Sequence, residues 1–197
     1  MFDIGIKEIS RKVIHILSII IPLFHCYIFK NKIDMIIFLS AMVIFCFFIE
    51  IFRYQNSFIS KIFIRYFSIM MRNFEKQGSL TGATWVFVGA LITLVIIPRP
   101  FCILALFFLA FGDTLAALIG MKFPFIKIGN KTLSGSIACF TICLYIGLIL
   151  DFNISSEIIL IGAFTATIAE LASMKINDNL LIPLLSGSAM YLGSIII

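Results

Sequence analysis

Charged side chains are scarce in this chain. Fifteen basic and ten acidic residues make up 13% of its 197 positions, against 61% that are hydrophobic, and the mean hydropathy is +1.14. Soluble domains run at about 45–50% apolar and 25% charged, so this composition excludes a water-soluble globule and implies an integral membrane protein. Strict apolar–polar alternation is missing too, which argues against a β-barrel. Low-complexity tracts and internal repeats are absent. The five cysteines (Cys26, Cys46, Cys102, Cys139 and Cys143) sit singly in apolar runs, with no CxxC pair. They read as free buried thiols with no redox or metal role. Basic residues precede the first apolar run, as in a signal peptide. No small-residue cleavage site follows, so the run is expected to stay as the first helix.

Seven apolar segments are present, at roughly 13–29, 33–52, 81–97, 101–121, 136–150, 156–173 and 180–197. Each is long enough to cross or nearly cross a bilayer. The expected fold is all-α, with about seven transmembrane helices in one domain spanning 1–197 and no room for a separate soluble unit. Basic residues fix the orientation. With the N-terminus in the cytoplasm, twelve of the fifteen fall inside: Lys7, Arg11, Lys12, Arg53, Lys61, Arg65, Arg72, Lys76, Lys122, Lys127, Lys131 and Lys175. Lys30, Lys32 and Arg99 fall outside, and so does the C-terminus. The net charge of +5 then reflects orientation, and no nucleic-acid partner is implied. Within about 53–76, Ser57, Lys61, Arg65, Ser68, Arg72 and Lys76 recur at three- and four-residue steps, with Phe58, Ile62, Phe63, Tyr66, Phe67 and Met70 on the other side. This pattern predicts one interfacial amphipathic helix, serving as an anchor or bordering the entry of a lipid substrate.

Against this apolar background, "FGDTLAALIG" carries Asp113 at membrane depth. A carboxylate there costs about 2.5–3.5 kcal/mol on insertion scales, so it needs a partner, a cavity or a function. Gly112, Ala116 and Gly120 form a small-xxx-small ridge beside it, which turns Asp113 toward the bundle interior. Four more polar clusters fall at the same end. "KEISRKVIH" puts Glu8, Arg11 or Lys12, and His15 on one helical face; His15 lies one turn inside the apolar run. "KQGSLTGATW" leads into a helix that Ser79 or Thr81 can cap. "GNKTLSGS" is expected to open another helix with lysine, hydroxyls and glycines, the ingredients of an anion site, although it lacks Walker A spacing. "AELASMKINDNLLIP" places Glu170 at a helix end and Asp178 and Asn179 in the following turn, where either could simply cap the last helix. Carboxylates with a divalent cation would hold a phosphate that carboxylates alone would repel. Divalent metal and polyphosphate beside lipid is the economical combination.

"RKVIH", "KQGSLTGATW", "GDTLAALIG", "NKTLSGS" and "EL…DNLLIPL" occur in the order found in the dolichol kinase, phytol kinase and yeast-type diacylglycerol kinase family, over roughly residues 8 to 190. The chain resembles that family, and the resemblance implies a multi-pass catalytic core in the cell (inner) membrane with its active site on the cytoplasmic face. Such an enzyme moves the γ-phosphate of CTP to the hydroxyl of a membrane lipid alcohol with Mg²⁺ or another divalent cation. Carried over, Asp113, Glu170 and Asp178 would be metal or catalytic carboxylates, with His15 a further proton acceptor. Lys131, Thr132, Gly135 and Ser136 would contact the nucleotide phosphates. Asn179 would complete the site, Thr81 would join it from the second motif, and Arg11, Lys12 and Lys76 would be electrostatic partners. Ser134 stands where the family usually has an acidic residue. CTP:phosphatidate cytidylyltransferases share part of this pattern, but their glycine-rich ending has no counterpart in "KINDNLLIPLL". A membrane transporter is a third reading. It would spread polar residues to the midplane, which these apolar outer halves do not show.

Overall fold

The computed structural model describes residues 6–55, 57–67, 71, 73–76, 78–150, 152–172 and 177–197. Of the residues named above, Ser68, Met70, Arg72 and Lys175 lie outside the described residues. The described chain is mostly helical: α1 (Ile6–Leu17), α2 (Ile20–Leu23), α3 (Lys32–Gln55), α4 (Ser57–Phe67), α5 (Asn73–Lys76), α6 (Gly82–Ile96), α7 (Arg99–Phe108), α8 (Thr114–Lys122), α9 (Leu133–Ile149), α10 (Ser156–Ala172) and α11 (Asp178–Ile196). Among the described residues, four stretches are long and apolar enough to cross a membrane: Glu8–Ile28, Lys32–Gln55, Arg99–Lys122 and Asp178–Ile196. Gly82–Ile96 and Leu133–Ile149 are shorter apolar helices. Many large apolar side chains, among them Ile44, Phe45, Phe48, Tyr145 and Phe164, face outward. In a membrane protein such a surface meets lipid.

Three sequence expectations are corrected. The fold is not purely helical, because Lys127–Ile128 and Lys131–Thr132 form an antiparallel hairpin, β1 and β2, with Ile128 opposite Lys131. Gly129 makes the two-residue turn possible with φ +59°. "GNKTLSGS" is therefore hairpin first and helix second. Next, the first apolar run breaks at Ser18 and Ile19 and continues through α2 into a π-helical turn at Phe24–Ile28. Finally, the interfacial segment is not one helix: α3 runs on to Gln55, and α4 and α5 are separate pieces. The amphipathic character belongs to α4, whose Phe58, Ile62 and Tyr66 point outward.

The stretch Arg99–Lys122 is the buried centre of the bundle, whereas the other three long stretches expose most of theirs. "IPRP" sets where it begins. Ile97, preceding Pro98, is held extended (φ −104°, ψ 140°), and Pro100 sits in the first turn of α7. The Gly112–Ala116–Gly120 ridge packs on α9 as expected. A Cβ on Gly112 would lie 2.9 Å from Cys143 Sγ, and one on Gly135 would lie 2.6 Å from the Ala116 carbonyl oxygen. Around this centre α10 packs between α9 and α11, and α6 between α11 and α3. At the end away from Asp113, Arg99 donates to the carbonyls of His25 and Cys26, and Lys32 to those of Val95 and Ile97. Both cations thus occupy helix C-termini, where the macrodipole favours them.

Candidate functional site

Asp113 owes its position to a π-helical turn, Leu109–Asp113, between α7 and α8. Such a turn pulls carbonyls out of the ordinary helical pairing and often marks a functional position. Here three of them collect side-chain donors. Thr114 Oγ1 donates to Ala110 O at 2.6 Å, Lys12 Nζ to Asp113 O at 3.2 Å, and His15 Nε2 lies 3.4 Å from Leu109 O. The Asp113 side chain, 4% exposed, is held the same way. Lys12 Nζ donates to Oδ2 at 2.5 Å, and His15 Nε2 stands 3.1 Å from that same oxygen. "RKVIH" and "GDT" are therefore one site. The i, i+3 spacing of Lys12 and His15 on α1 makes both reach one carboxylate. Arg11, on the same turn, pairs with Glu8.

This trio lies on the wall of a cavity of about 440 Å³. Arg11, Thr81, Asp178 and Asn179 also line it. The rest of its lining is largely apolar, with Ile21, Cys46, Ile49, Phe67, Val86 and Phe87 among it. One cavity thus joins a charged end to an oily one. Asp178 and Asn179 reach it at the start of α11, where Asn177 is the N-cap and its side chain accepts from Asn179 N. Asn179 Nδ2 in turn donates to Gly82 O at 3.1 Å, which ties α11 to α6.

Lys131 and Glu170 form a second group. Lys131, just before the α9 N-cap, donates to the buried Glu170 at the end of α10 at 2.6 Å. Burial alone would depress the Lys131 ammonium, yet Glu170, Asp113 and Asp178 together hold it above the ordinary lysine range. One cation is therefore shared electrostatically by the three carboxylates that the sequence singled out. Thr132, Gly135 and Ser136 are adjacent but serve local structure. Thr132 Oγ1 accepts from Gly135 N at 3.2 Å, Gly135 lets α9 approach α8, and Ser136 Oγ donates to Thr132 O at 3.2 Å. Ser134 Oγ donates to Phe123 O at 2.5 Å and so closes the base of the hairpin. Lys76 is half-buried on α5 and is not on the cavity wall.

A group with no counterpart in the sequence reading supports the site from α3. Glu50, buried, accepts from Thr81 N at 2.8 Å and from Thr84 Oγ1 at 3.0 Å. Glu75 accepts from Gly82 N at 3.2 Å. The N-terminus of α6 is thus filled by two carboxylates, so it is not where a phosphate would sit. Arg53 pairs with Glu50 at 2.5 Å and donates to the carbonyls of Glu75 and Ser79. Its guanidinium also lies over the Phe63 ring, which draws α4 toward the cavity. The signal for Glu50 was available: like Asp113, it is an acid within an apolar run. Among the described residues, no three His, Cys, Asp or Glu side chains converge closely enough to hold a metal ion by themselves.

Comparison with known proteins adds the following. An uncharacterized protein of Rickettsia prowazekii is 32% identical over 90% of each chain. CTP-dependent diacylglycerol kinase 1 of Saccharomyces cerevisiae is 30% identical over 68% of this chain, which spans only about half (47%) of that kinase's length. The kinase of the same name from Schizosaccharomyces pombe is 28% identical over 73% of each chain. These partial likenesses support the CTP-dependent lipid kinase family. No protein-family model and no solved structure matches the chain.

Proposed function

The chain belongs to one family with the Rickettsia prowazekii protein, and on that premise and its likeness to the two yeast kinases we propose that it is a CTP-dependent lipid kinase. It transfers the γ-phosphate of CTP to the hydroxyl of a membrane lipid alcohol: a polyprenol, a phytol-like isoprenol or a diacylglycerol. One observation carries the reading: Asp113, bracketed by Lys12 and His15, lines the same cavity as the apolar side chains of Ile21, Cys46, Val86 and Phe87. In this reading the whole of 1–197 is one catalytic domain of about seven transmembrane helices. The N-terminus and the Asp113 end face the cytoplasm, and the host membrane is the cell (inner) membrane. The sequence assigns twelve of the fifteen basic residues to that side, which supports the orientation.

Phosphoryl transfer asks for positioning and charge neutralisation more than for covalent chemistry. The acceptor hydroxyl lies beside Asp113 Oδ2. Its oxygen attacks the γ-phosphorus, the bond to the β-phosphate bridging oxygen breaks, and CDP leaves with that electron pair. Asp113 takes the hydroxyl proton, while Lys12 and His15 fix its carboxylate in place. Lys131 turns from its carboxylates to the γ- and β-phosphates and offsets their charge, with Arg11 at the mouth of the cavity. Asn179 donates a hydrogen bond to the nucleotide.

Asp113, Asp178 and Glu170 are the carboxylates that would hold Mg²⁺, one or two of them joined by phosphate oxygens and water, since the three do not converge on an ion by themselves. Asp178 with Asp113 or Glu170 would hold the ion, because all three carboxylates act electrostatically on the one ammonium of Lys131 and Glu170 also pairs with it directly. When bound, the ion supplies further neutralisation of the phosphates. The test is γ-labelled CTP and Mg²⁺ with purified protein in vesicles carrying each alcohol in turn. Label in a lipid monophosphate, with release of CDP, supports the proposal. Pyrophosphate and a CDP-lipid would favour nucleotidyl transfer instead, and no transfer to any alcohol would sink both.

A further inference from the structure

The apolar part of the cavity has its own geometry, and it leads sideways. Cys46 and Ile49 of α3 line it together with Phe63 and Phe67 of α4. Leu17 and Ile20 also line it, and they are 62% and 53% exposed on the outer surface. These two residues flank the break between α1 and α2, where Ser18 and Ile19 leave the regular helix. The cavity wall thus reaches the outer surface of the bundle beside this turn, where the neighbouring Val13 and Leu23 also face outward.

We infer that this apolar arm is the hydrocarbon-chain site of the acceptor, entered from the bilayer between the α1–α2 break and α4. The inference rests on the lipid-kinase reading and deepens it by assigning where the chain lies and which end selects the ligand. Lipid tails are as apolar as the arm, so moving a chain from bilayer to arm yields little free energy. Retention then comes from the other end, where a hydroxyl meets Asp113 and His15. An alcohol is held, and a plain alkane of the same length is not. Arg53, lying over Phe63 and joined to Glu50, fixes one wall of the arm to the cap of α6. The arm and the polar end are therefore parts of one braced unit.

Cys46 is a natural reporter, since its thiol is on the arm, whereas Cys26 is half-buried away from it. The purified chain in phosphatidylcholine vesicles is treated with N-ethylmaleimide, and the alkylation of each cysteine is followed by mass spectrometry. Dodecanol at ten times its dissociation constant should slow Cys46 about tenfold by occupancy, leaving Cys26 unchanged. Dodecane should do neither. Equal slowing by dodecane, equal slowing of Cys26, or no slowing overturns the inference. As a second measurement, Ile49→Trp narrows the arm and should shift the acceptor profile toward shorter alkanols. An unchanged profile also overturns it. The two readings separate cleanly: protection of Cys46 without label transfer upholds the chain site and sinks the kinase, and transfer without protection does the reverse.

Discussion

The carbonyl of Asn179 lies against the bare Cα of Gly89, so close that a Cβ on Gly89 would come within 2.2 Å of the oxygen. Pro183 explains why that carbonyl is available. It stands four residues further along α11 and has no N–H to donate back, so the first turn of α11 keeps an open acceptor. Gly89 lets α6 approach that turn, and the approach sets where Asn179 and Asp178 enter the cavity. Gly89→Ala should therefore displace the start of α11 and lower stability by about 1–3 kcal/mol, the usual cost of overpacking. Unfolding in detergent by denaturant would measure it. A variant with unchanged stability and unchanged turnover would show that this contact does not position the site.

Glu50 should behave as a cap. Glu50→Gln keeps the shape but removes the charge that receives Thr81 N and Thr84 Oγ1 and pairs with Arg53. Loss of a charged, buried partner should cost about 3 kcal/mol. Turnover should fall less than with any Asp113 substitution, because Glu50 acts through α6. Measured together, a stable Glu50→Gln protein with abolished turnover would instead make Glu50 a direct participant.

The helical outline was readable because apolar length is a property of whole segments. The segments at 33–52, 81–97, 101–121, 136–150, 156–173 and 180–197 each coincide with described helix, to within a few residues at most ends. Convergence of Lys12, His15, Asp113, Asp178 and Asn179 on one cavity was also readable, from their shared end of the bundle. The hairpin was not. A two-residue turn between two-residue strands has no periodicity to detect, and its hydroxyls and lysine look the same at a helix start. The bonds of Arg53 to Glu75 and Ser79 and of Glu50 to Thr81 and Thr84 were missed because they span 22 to 34 residues and Arg53 already had an explanation as an orientation charge.

Topology is testable apart from chemistry. Reporter fusions should find the N-terminus in the cytoplasm and the C-terminus outside. Two termini on one side would mean an even number of crossings and would divide the basic clusters between two faces.

The Lys131–Glu170 pair gives a pH prediction. The folded pKa of Lys131 is raised above its ordinary 10.5, so the pair's stabilisation is complete below that value and is lost as pH rises through the folded pKa. Compared with the Lys131→Met/Glu170→Gln double variant, the native chain should melt differently by a constant margin from neutral pH to about pH 9, and the margin should shift only in the alkaline range. A double-mutant cycle at neutral pH should give a coupling of about 1–3 kcal/mol. A margin that already changes near neutrality would show that some other titration governs this contact.

Asp113 poses the sharpest question, because the pair it makes with Lys12 is itself a sufficient structural reason for a buried carboxylate. Asp113→Asn alone cannot separate the two roles. It strands the Lys12 ammonium, which is about as buried as the carboxylate, and that should cost about 3–5 kcal/mol. Turnover should fall at the same time. Lys12→Met together with Asp113→Asn removes both charges, and replacing a buried ion pair by neutral groups is often neutral or stabilising. The double variant should therefore recover most of the lost stability. If Asp113 accepts the hydroxyl proton, turnover should stay about 10² or more below the native level, in keeping with loss of a group acting on the transition state. Thermal stability and CDP release are to be measured on the native chain, Asp113→Asn and the double variant. Recovery of both in the double variant would make the Lys12–Asp113 pair a packing device and move the proton acceptor to another group on the cavity wall.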